Sequence, residues 1–243
     1  MESIVKTKQL EKVYGENETE VIALNKIDIE FLESQFTAIM GPSGSGKSTL
    51  LHCLAGLDSP TSGAIYINDT DLSQLNDKQL TKLRRDHFGF VFQAFNLIPT
   101  LTAGENISLP SSIAGNSPDE EWLEKIIETL DLHDRLNHRP NELSGGQQQR
   151  VAAARALASK PDVIFADEPT GNLDSTSSEE LLAFFKTIVS ELNQTIIMVT
   201  HDPIAASYAD RVVFLRDGSI FNDLEQPSKE QIITTVSDIS LKG

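Results

Sequence analysis

The chain has one cysteine, Cys53, in 243 residues, so it cannot form an internal disulfide, and the small stapled secreted folds are excluded. It has no stretch near the roughly 18 consecutive apolar residues that cross a bilayer. Positive charge is scarce: 20 Lys plus Arg face 36 Asp plus Glu, a formal charge of −16, with no local basic patch. Such a surface repels nucleic-acid phosphates and anionic lipid heads, so no nucleic-acid partner is expected and any membrane role runs through another protein. The five histidines are scattered, and His133 and His138, five apart, do not share a helical face, so no zinc cluster assembles from them. The first residues show no charged-then-apolar leader pattern. A reducing, cytosolic address is the expectation.

What is present is ordinary for a globular protein: 39% hydrophobic and 23% charged residues, with 14 Gly and 10 Pro. The length suits one large domain or two small ones, and no repeat or low-complexity linker divides it. Ile27-Asp-Ile-Glu-Phe31 alternates apolar and polar, as a half-buried antiparallel strand does. Phe36-Thr-Ala-Ile-Met40 is instead a short apolar run, typical of a strand covered on both faces. Similar runs recur at 88–92, 163–166, 196–199 and 212–215, separated by helical segments, which is the pattern of a mostly parallel α/β sheet.

Between about 94 and 158 the strand signal vanishes. Ser117 reads as a helix cap, Pro118 as the first helical position, and Asp119, Glu120 and Glu121 as an acidic first turn. Trp122, Leu123, Ile126, Ile127 and Leu130 then mark one apolar face. The reading is a helical subdomain inserted into an α/β core within a single domain of residues 1–243. Near the C-terminus, residues 212–220 read as a hairpin turning at Asp217-Gly218. A polar tail, roughly 222–243, follows, with Ile232, Val236 and Ile239 at helical spacing.

Gly41-Pro-Ser-Gly-Ser-Gly-Lys-Ser48 has P-loop spacing, follows a buried strand and precedes a helical run. Glycines let successive backbone amides turn toward one anion, and the helix start adds its positive end. Gly41, Pro42, Ser43, Gly44, Ser45, Gly46 and Thr49 are the candidate cradle, Lys47 the candidate partner of terminal phosphates, and Ser48 a candidate Mg²⁺ ligand. Cys53, in the helix beyond, reads as a packed core residue.

An apolar strand ends in Asp167-Glu168 and places two carboxylates at the sheet edge where ligands bind in open α/β folds. Asp167 is read as serving Mg²⁺ and Glu168 as orienting or deprotonating the attacking water. Leu143-Ser-Gly-Gly-Gln147 precedes a strong helix former. Ser144 can cap that helix while the Gly145 and Gly146 amides stay free, a second anion site. Two consecutive glycines cost about 1 kcal/mol each in a helix, and close approach of a phosphate would account for them.

Together with Gln93, Asn172-Leu-Asp174 and His201, these motifs resemble, in order, the full set of the ATP-binding-cassette (ABC) ATPases, over nearly the whole chain. The resemblance implies a P-loop NTPase (RecA-like) α/β core with an antiparallel β subdomain and an inserted helical subdomain, and hydrolysis of ATP with Mg²⁺. It makes Gln93 the residue that reaches Mg²⁺ and senses a membrane partner, Asp174 the acid at the subunit contact, and His201 the histidine on the γ-phosphate. Tyr14 matches the aromatic residue stacked on adenine. It also implies a head-to-tail homodimer in which the segment Leu143, Ser144, Gly145, Gly146 and Gln147 of one copy closes over the ATP of the other.

Residues 88–99, 101–106 and 168–174 resemble the branch serving lipoprotein release, macrolide export and bacterial defence against peptide antibiotics. That branch implies a permease partner, with this subunit peripheral on the inner face of the membrane. Phe95, Leu97 and Ile98 read either as a groove floor for a permease helix or as core of the helical subdomain. The family's usual Gly-Glu turn appears here as Ser34-Gln35, expected to alter a hairpin and leave the chemistry intact. The alternative class is a non-transport ABC ATPase acting on nucleic acid or the ribosome. Only 51 positions run from Gln93 to Ser144, with no heptad run for a coiled coil, and a ribosome factor usually carries two cassettes in one chain.

Overall fold

The chain opens with two long strands, β1 (Ser3–Tyr14) and β2 (Val21–Leu32), paired antiparallel. In β2, Ile27, Ile29 and Phe31 turn inward while Asp28 and Glu30 face solvent, the alternation of a sheet wet on one side. The connection through Ser34 passes the chain into a second sheet, where β3 (Phe36–Met40) is buried throughout. That connection was expected to be a hairpin. It is a sheet-to-sheet crossing, because β2 pairs as a strand with β1, at the edge of its sheet, while β3 lies between β9 and β8 in the other. Ser34, at φ +54°, takes the left-handed turn itself. Its backbone N–H donates to Thr195 Oγ1 at 3.0 Å.

In the computed structural model, which describes residues 2–115 and 119–241, helix α1 (Lys47–Leu54) leads to β4 (Ser62–Ile67) and β5 (Thr70–Asp71). These complete a four-stranded sheet of order β2-β1-β4-β5. Helix α2 (Asp77–His87) then delivers β6 (Phe88–Phe92). Helices α3 (Ala103–Ala114), α4 (Glu120–Thr129) and α5 (Gly145–Leu157) follow, with no strand before β7 (Val163–Asp167) among the described residues. Helix α6 (Ser175–Leu192), β8 (Thr195–Val199), α7 (Pro203–Ala206), β9 (Arg211–Arg216), β10 (Ser219–Glu225) and α8 (Lys229–Leu241) close the chain. The second sheet has order β10-β9-β3-β8-β7-β6 and is parallel except at β10.

Alternation within this sheet divides the core. Phe36, Ala38 and Met40 of β3 face a layer built from α5, α6, α7 and α8, whereas Ile39 faces α1 and the antiparallel sheet. Burial on both faces is why these strands read as continuous apolar runs. On the helical side Phe36 meets Phe185 of α6 edge to face, with ring centres 6.1 Å apart. Ile126, Ile127 and Leu130 are buried there, and Trp122 and Leu123 pack against them.

The parallel strands and the 217–218 hairpin stand where expected. Asp217 and Gly218 both have positive φ, +49° and +71°, as a two-residue turn matching strand twist requires. Three differences carry a physical reason. Asp119 is the cap of α4, its side chain accepting from Trp122 N–H, and does not lie in the first turn; Ser117 and Pro118 lie outside the described residues. Asn222 to Glu225, expected in a tail, extend β10, and most of the remainder is α8, which buries Ile232 and Ile239. Strands β1 and β4 and helix α2 were not anticipated. Register shifts along β1, with Gln9 at φ +48°, break the two-residue period. Phe185 is fully buried, so Phe185→Ala is expected to lower the unfolding free energy by about 3–5 kcal/mol, read from urea denaturation.

Candidate active site

Strand register brings the motifs to one edge. Ile39 of β3 pairs with Val199 of β8, Val199 with Asp167 of β7, and Asp167 with Phe92 of β6. The segments leaving these strands therefore emerge side by side: the glycine loop after Met40, Gln93, Glu168, and Thr200-His201. In open α/β sheets this carboxyl edge is where ligands sit.

Helix α1 starts without a side-chain cap. Its N-cap, Gly46, has φ +98°, and a Cβ there would lie 2.3 Å from the Ala23 carbonyl oxygen. Helices α2 to α7 each have a capping side chain at this place. In α1 the first helical hydrogen bond runs from Leu50 N–H to Gly46 O, which leaves the amides of Lys47, Ser48 and Thr49 for another acceptor. Gly44, at φ +78°, has no atom within 4 Å of where its Cβ would be. Ser45 Oγ is buried without a partner. Lys47 Nζ donates to the Pro42 carbonyl at 2.8 Å. Burial holds the Lys47 pKa below its ordinary value, against the opposing pull of Glu168 and Asp167. A buried cation beside open amides suits a polyanion.

The acids stand opposite. Ser48 Oγ donates to Asp167 Oδ1 at 3.2 Å, two hard oxygen donors at one point. Among the described residues no three acidic, His or Cys side chains cluster to hold a metal, so a cation here would need phosphate oxygens and water for its remaining ligands. That suits Mg²⁺. Glu168 follows at φ +46°, a turn that swings it off the strand and away from Asp167. Its Oε1 lies 3.0 Å from His201 Nδ1. A carboxylate only accepts, so Nδ1 carries the proton, and Nε2 can donate to an anion only when the ring is imidazolium. Ser43, Gly44, Gly46, Lys47, Ser48, Thr49, Glu168 and His201 border one cleft of about 530 Å³, with Val21 and Ala23 at its rim.

Other expected residues stand outside that cleft. Gln93 exchanges hydrogen bonds with Asn172: Nε2 donates to Asn172 Oδ1 at 3.2 Å and Asn172 Nδ2 to the Gln93 carbonyl at 3.0 Å. Tyr14 donates from its hydroxyl to Asp58 at 2.6 Å, with Lys12 Nζ 4.8 Å from its ring centre. Leu143 is buried, while Ser144 is exposed and caps α5 in a reciprocal pair with Gln147. Gly146 has a packing reason that the sequence concealed, since a Cβ there would meet Ser177 Oγ at 2.6 Å. Gly145 is looser, since a Cβ there would come no nearer than 3.7 Å, to the Phe95 ring. Asp174 caps α6, and its bonds from the Ser177 backbone and hydroxyl hold its pKa down. Leu97 packs on the core and Ile98 is exposed.

Sequence reasoning missed His52, Gln149 and Arg155. His52 Nε2 lies 3.5 Å from Asp167 Oδ2, and that contact raises its pKa. Its position four residues after Ser48, on the same helical face, was the available signal. Gln149 and Arg155 left none, because they act on backbone distant in sequence.

A nucleotide-type phosphate cradle facing a carboxylate and histidine pair on a P-loop α/β core defines a nucleoside triphosphatase. The ABC transporter family matches residues 24–171, and this chain belongs to it. It is 46% identical over 223 residues to an uncharacterized ABC transporter ATP-binding protein, MJ0796, of Methanocaldococcus jannaschii, covering 89% of this chain and 95% of that one. The dimeric post-hydrolysis structure of MJ0796 with ADP and Pi matches with a TM-score of 0.82 at 43% identity, covering 92% of this chain and 99% of that one. A bacitracin export ATP-binding protein, BceA, of Halalkalibacterium halodurans is 42% identical over 226 residues, 92% of this chain and 89% of its own. The macrolide export ATP-binding/permease protein MacB of Marinobacter nauticus is 46% identical over 231 residues, which are 93% of this chain and 36% of MacB. The chain is thus an ABC ATPase with the α/β core, antiparallel sheet and helical insert expected of one.

Cys53 takes no part in the site. It is free and fully buried in α1, and burial pushes its thiol up to about 12. The fold retains a proton that an unfolded thiol releases near about 8.5, so this stabilisation is whole below that pH and disappears as pH climbs toward 12. A disulfide reagent at pH 8 is expected to leave the native protein unlabelled and to titrate one thiol per chain in guanidinium.

Proposed function

We propose that this chain is the motor subunit of a permease of the macrolide-export and peptide-antibiotic-resistance branch, and that its Glu168 and His201 hydrolyse ATP gripped between two copies. The carrying observation is the uncapped start of α1, with Lys47, set across one cleft from the Glu168–His201 pair. The Lys47, Ser48 and Thr49 amides and the Lys47 ammonium would hold the β- and γ-phosphates. Ser48 and Asp167 would hold Mg²⁺, which supplies charge neutralisation on the phosphates. Glu168 orients a water whose oxygen bonds to the γ-phosphorus as the bond to the β–γ bridging oxygen breaks. The water's proton passes to Glu168 and on to solvent, and ADP and phosphate leave. His201 as imidazolium donates to the γ-phosphoryl oxygens and is steadied by Glu168.

Ser144 does not border the cleft of its own chain, which supports its reaching the nucleotide of a second copy, head to tail. Gly145 and Gln147 would flank that contact and Asp174 would lie at the subunit boundary. Tyr14, at the end of β1, would turn from Asp58 to cover adenine. Gln93 would leave Asn172 to meet Mg²⁺ and report on the permease, to which Phe95 and the exposed Ile98 would offer a surface. Among the described residues no helix is long and apolar enough to cross a membrane; in this reading the permease supplies the transport path and this unit would sit peripherally on the membrane's inner face.

Glu168→Gln keeps the cradle and removes the base. Phosphate release is expected to fall about 10²- to 10⁴-fold with nucleotide affinity retained, and Mg-ATP should convert the variant from monomer to dimer by light scattering. Parental turnover, or a monomer that binds nucleotide normally, would overturn the proposal. Lys47→Ala is expected to lose nucleotide binding itself, measured by calorimetry.

A further inference from the structure

Helix α5, which Ser144 caps, reaches back to the hydrolytic edge through one fully buried amide. Gln149 Nε2 donates to two carbonyls, Phe92 O at 3.2 Å and Pro169 O at 2.7 Å. Phe92 immediately precedes Gln93 and Pro169 immediately follows Glu168. Both partners are acceptors, so the amide must present its nitrogen to them. This orientation leaves Gln149 Oε1 buried with no partner, an arrangement that disfavours folding unless the donated pair is needed. Arg155, six residues further along the same helix, adds a second grip. Its guanidinium donates to the Asn96 carbonyl at 2.6 Å and the Phe95 carbonyl at 3.1 Å, so the Gln93 segment is held on both sides.

We infer that Gln149 is a positioning residue for hydrolysis: it ties the backbone beside Gln93 and beside Glu168 to the helix that carries Ser144, so that docking of the Ser144 end sets the hydrolytic edge. The inference rests on the proposed roles of Glu168 and Ser144 and adds the link between them. Gln149 is fully buried and does not border the cleft. Its effect runs through the Pro169 carbonyl to the turn at Glu168 and through the Phe92 carbonyl to Gln93. Nothing in this link involves the α1 amides or Lys47, so nucleotide affinity should be indifferent to it.

The test compares Gln149→Met, which keeps the length and removes both donors, with Gln149→Glu, which keeps the length and in its protonated form restores one donor. Turnover is scaled to nucleotide-binding sites titrated with a non-hydrolysable ATP analogue, so that misfolded protein is not counted. The expected order of kcat is parent, then Gln149→Glu, then Gln149→Met at about a tenth of parent or lower, with KM for ATP within about twofold. In a Glu168→Gln background, Gln149→Met should still dimerise with Mg-ATP. Parental kcat per competent site in Gln149→Met overturns the inference. So does a KM that rises in step with the fall in kcat, the mark of a structural role alone. If Gln149→Met does not fold, Gln149→Glu against parent carries the same comparison. Glu168→Gln run alongside separates the two ideas: full turnover there defeats the Glu168 reading, whereas loss there with full turnover in Gln149→Met defeats only the inference.

Discussion

The parallel register of β3, β8, β7 and β6 is the constraint on which the rest depends. Ile39, Val199, Asp167 and Phe92 lie at one level across the sheet, so the backbone that leaves each strand has nowhere to go but the same edge. A parallel sheet must be covered on both faces, which confines solvent access to its ends. The phosphate loop, the acid pair and the histidine therefore share one opening although more than 150 residues separate Lys47 from His201. A one-residue slip of β7 would carry Asp167 away from Ser48 or Glu168 away from His201 and turn the strand's side chains to the opposite face.

Two electrostatic settings meet at that opening. On the α1 side, free amides and a buried ammonium favour negative charge, and burial lowers the Lys47 pKa against the pull of Glu168 and Asp167. On the β7 side, Asp167 and Glu168 are turned apart, each with its own partners, Ser48 and His52 for one and His201 for the other. Turning them apart keeps two like charges from sharing one site. The chain's large negative charge does not bear on this, because a local cradle of oriented dipoles decides what binds within a few ångströms.

The residues that connect the motifs were hidden where the motifs themselves were legible. The spacing from Gly41 to Ser48, the buried run ending in Asp167-Glu168 and the Ser144 cap could be read because each is a local pattern with a local physical cause. Gln149 and Arg155 could not, since their meaning is a hydrogen bond to backbone 20 to 60 positions away and any polar residue on α5 would look the same. Gly146 invited a phosphate explanation, yet its contact with Ser177 is a second reason that only packing reveals. Strand β1 escaped for a related cause: its bulges destroy the period by which strands are recognised.

Local chemistry, written in order along the chain, determined that there would be a parallel α/β core, a glycine-led helix start able to hold an anion, and acids at strand ends, because short-range sterics and burial pattern suffice for each. Tertiary structure alone decided that Gln93 and Tyr14 rest on Asn172 and Asp58, outside the cleft, that His52 joins Asp167, and that Ser144 stands outside its own chain's cleft. Those outcomes depend on which distant backbone comes within about 3 Å of a side chain, the reach of a hydrogen bond. No periodicity encodes that distance; the packing of the whole sheet sets it.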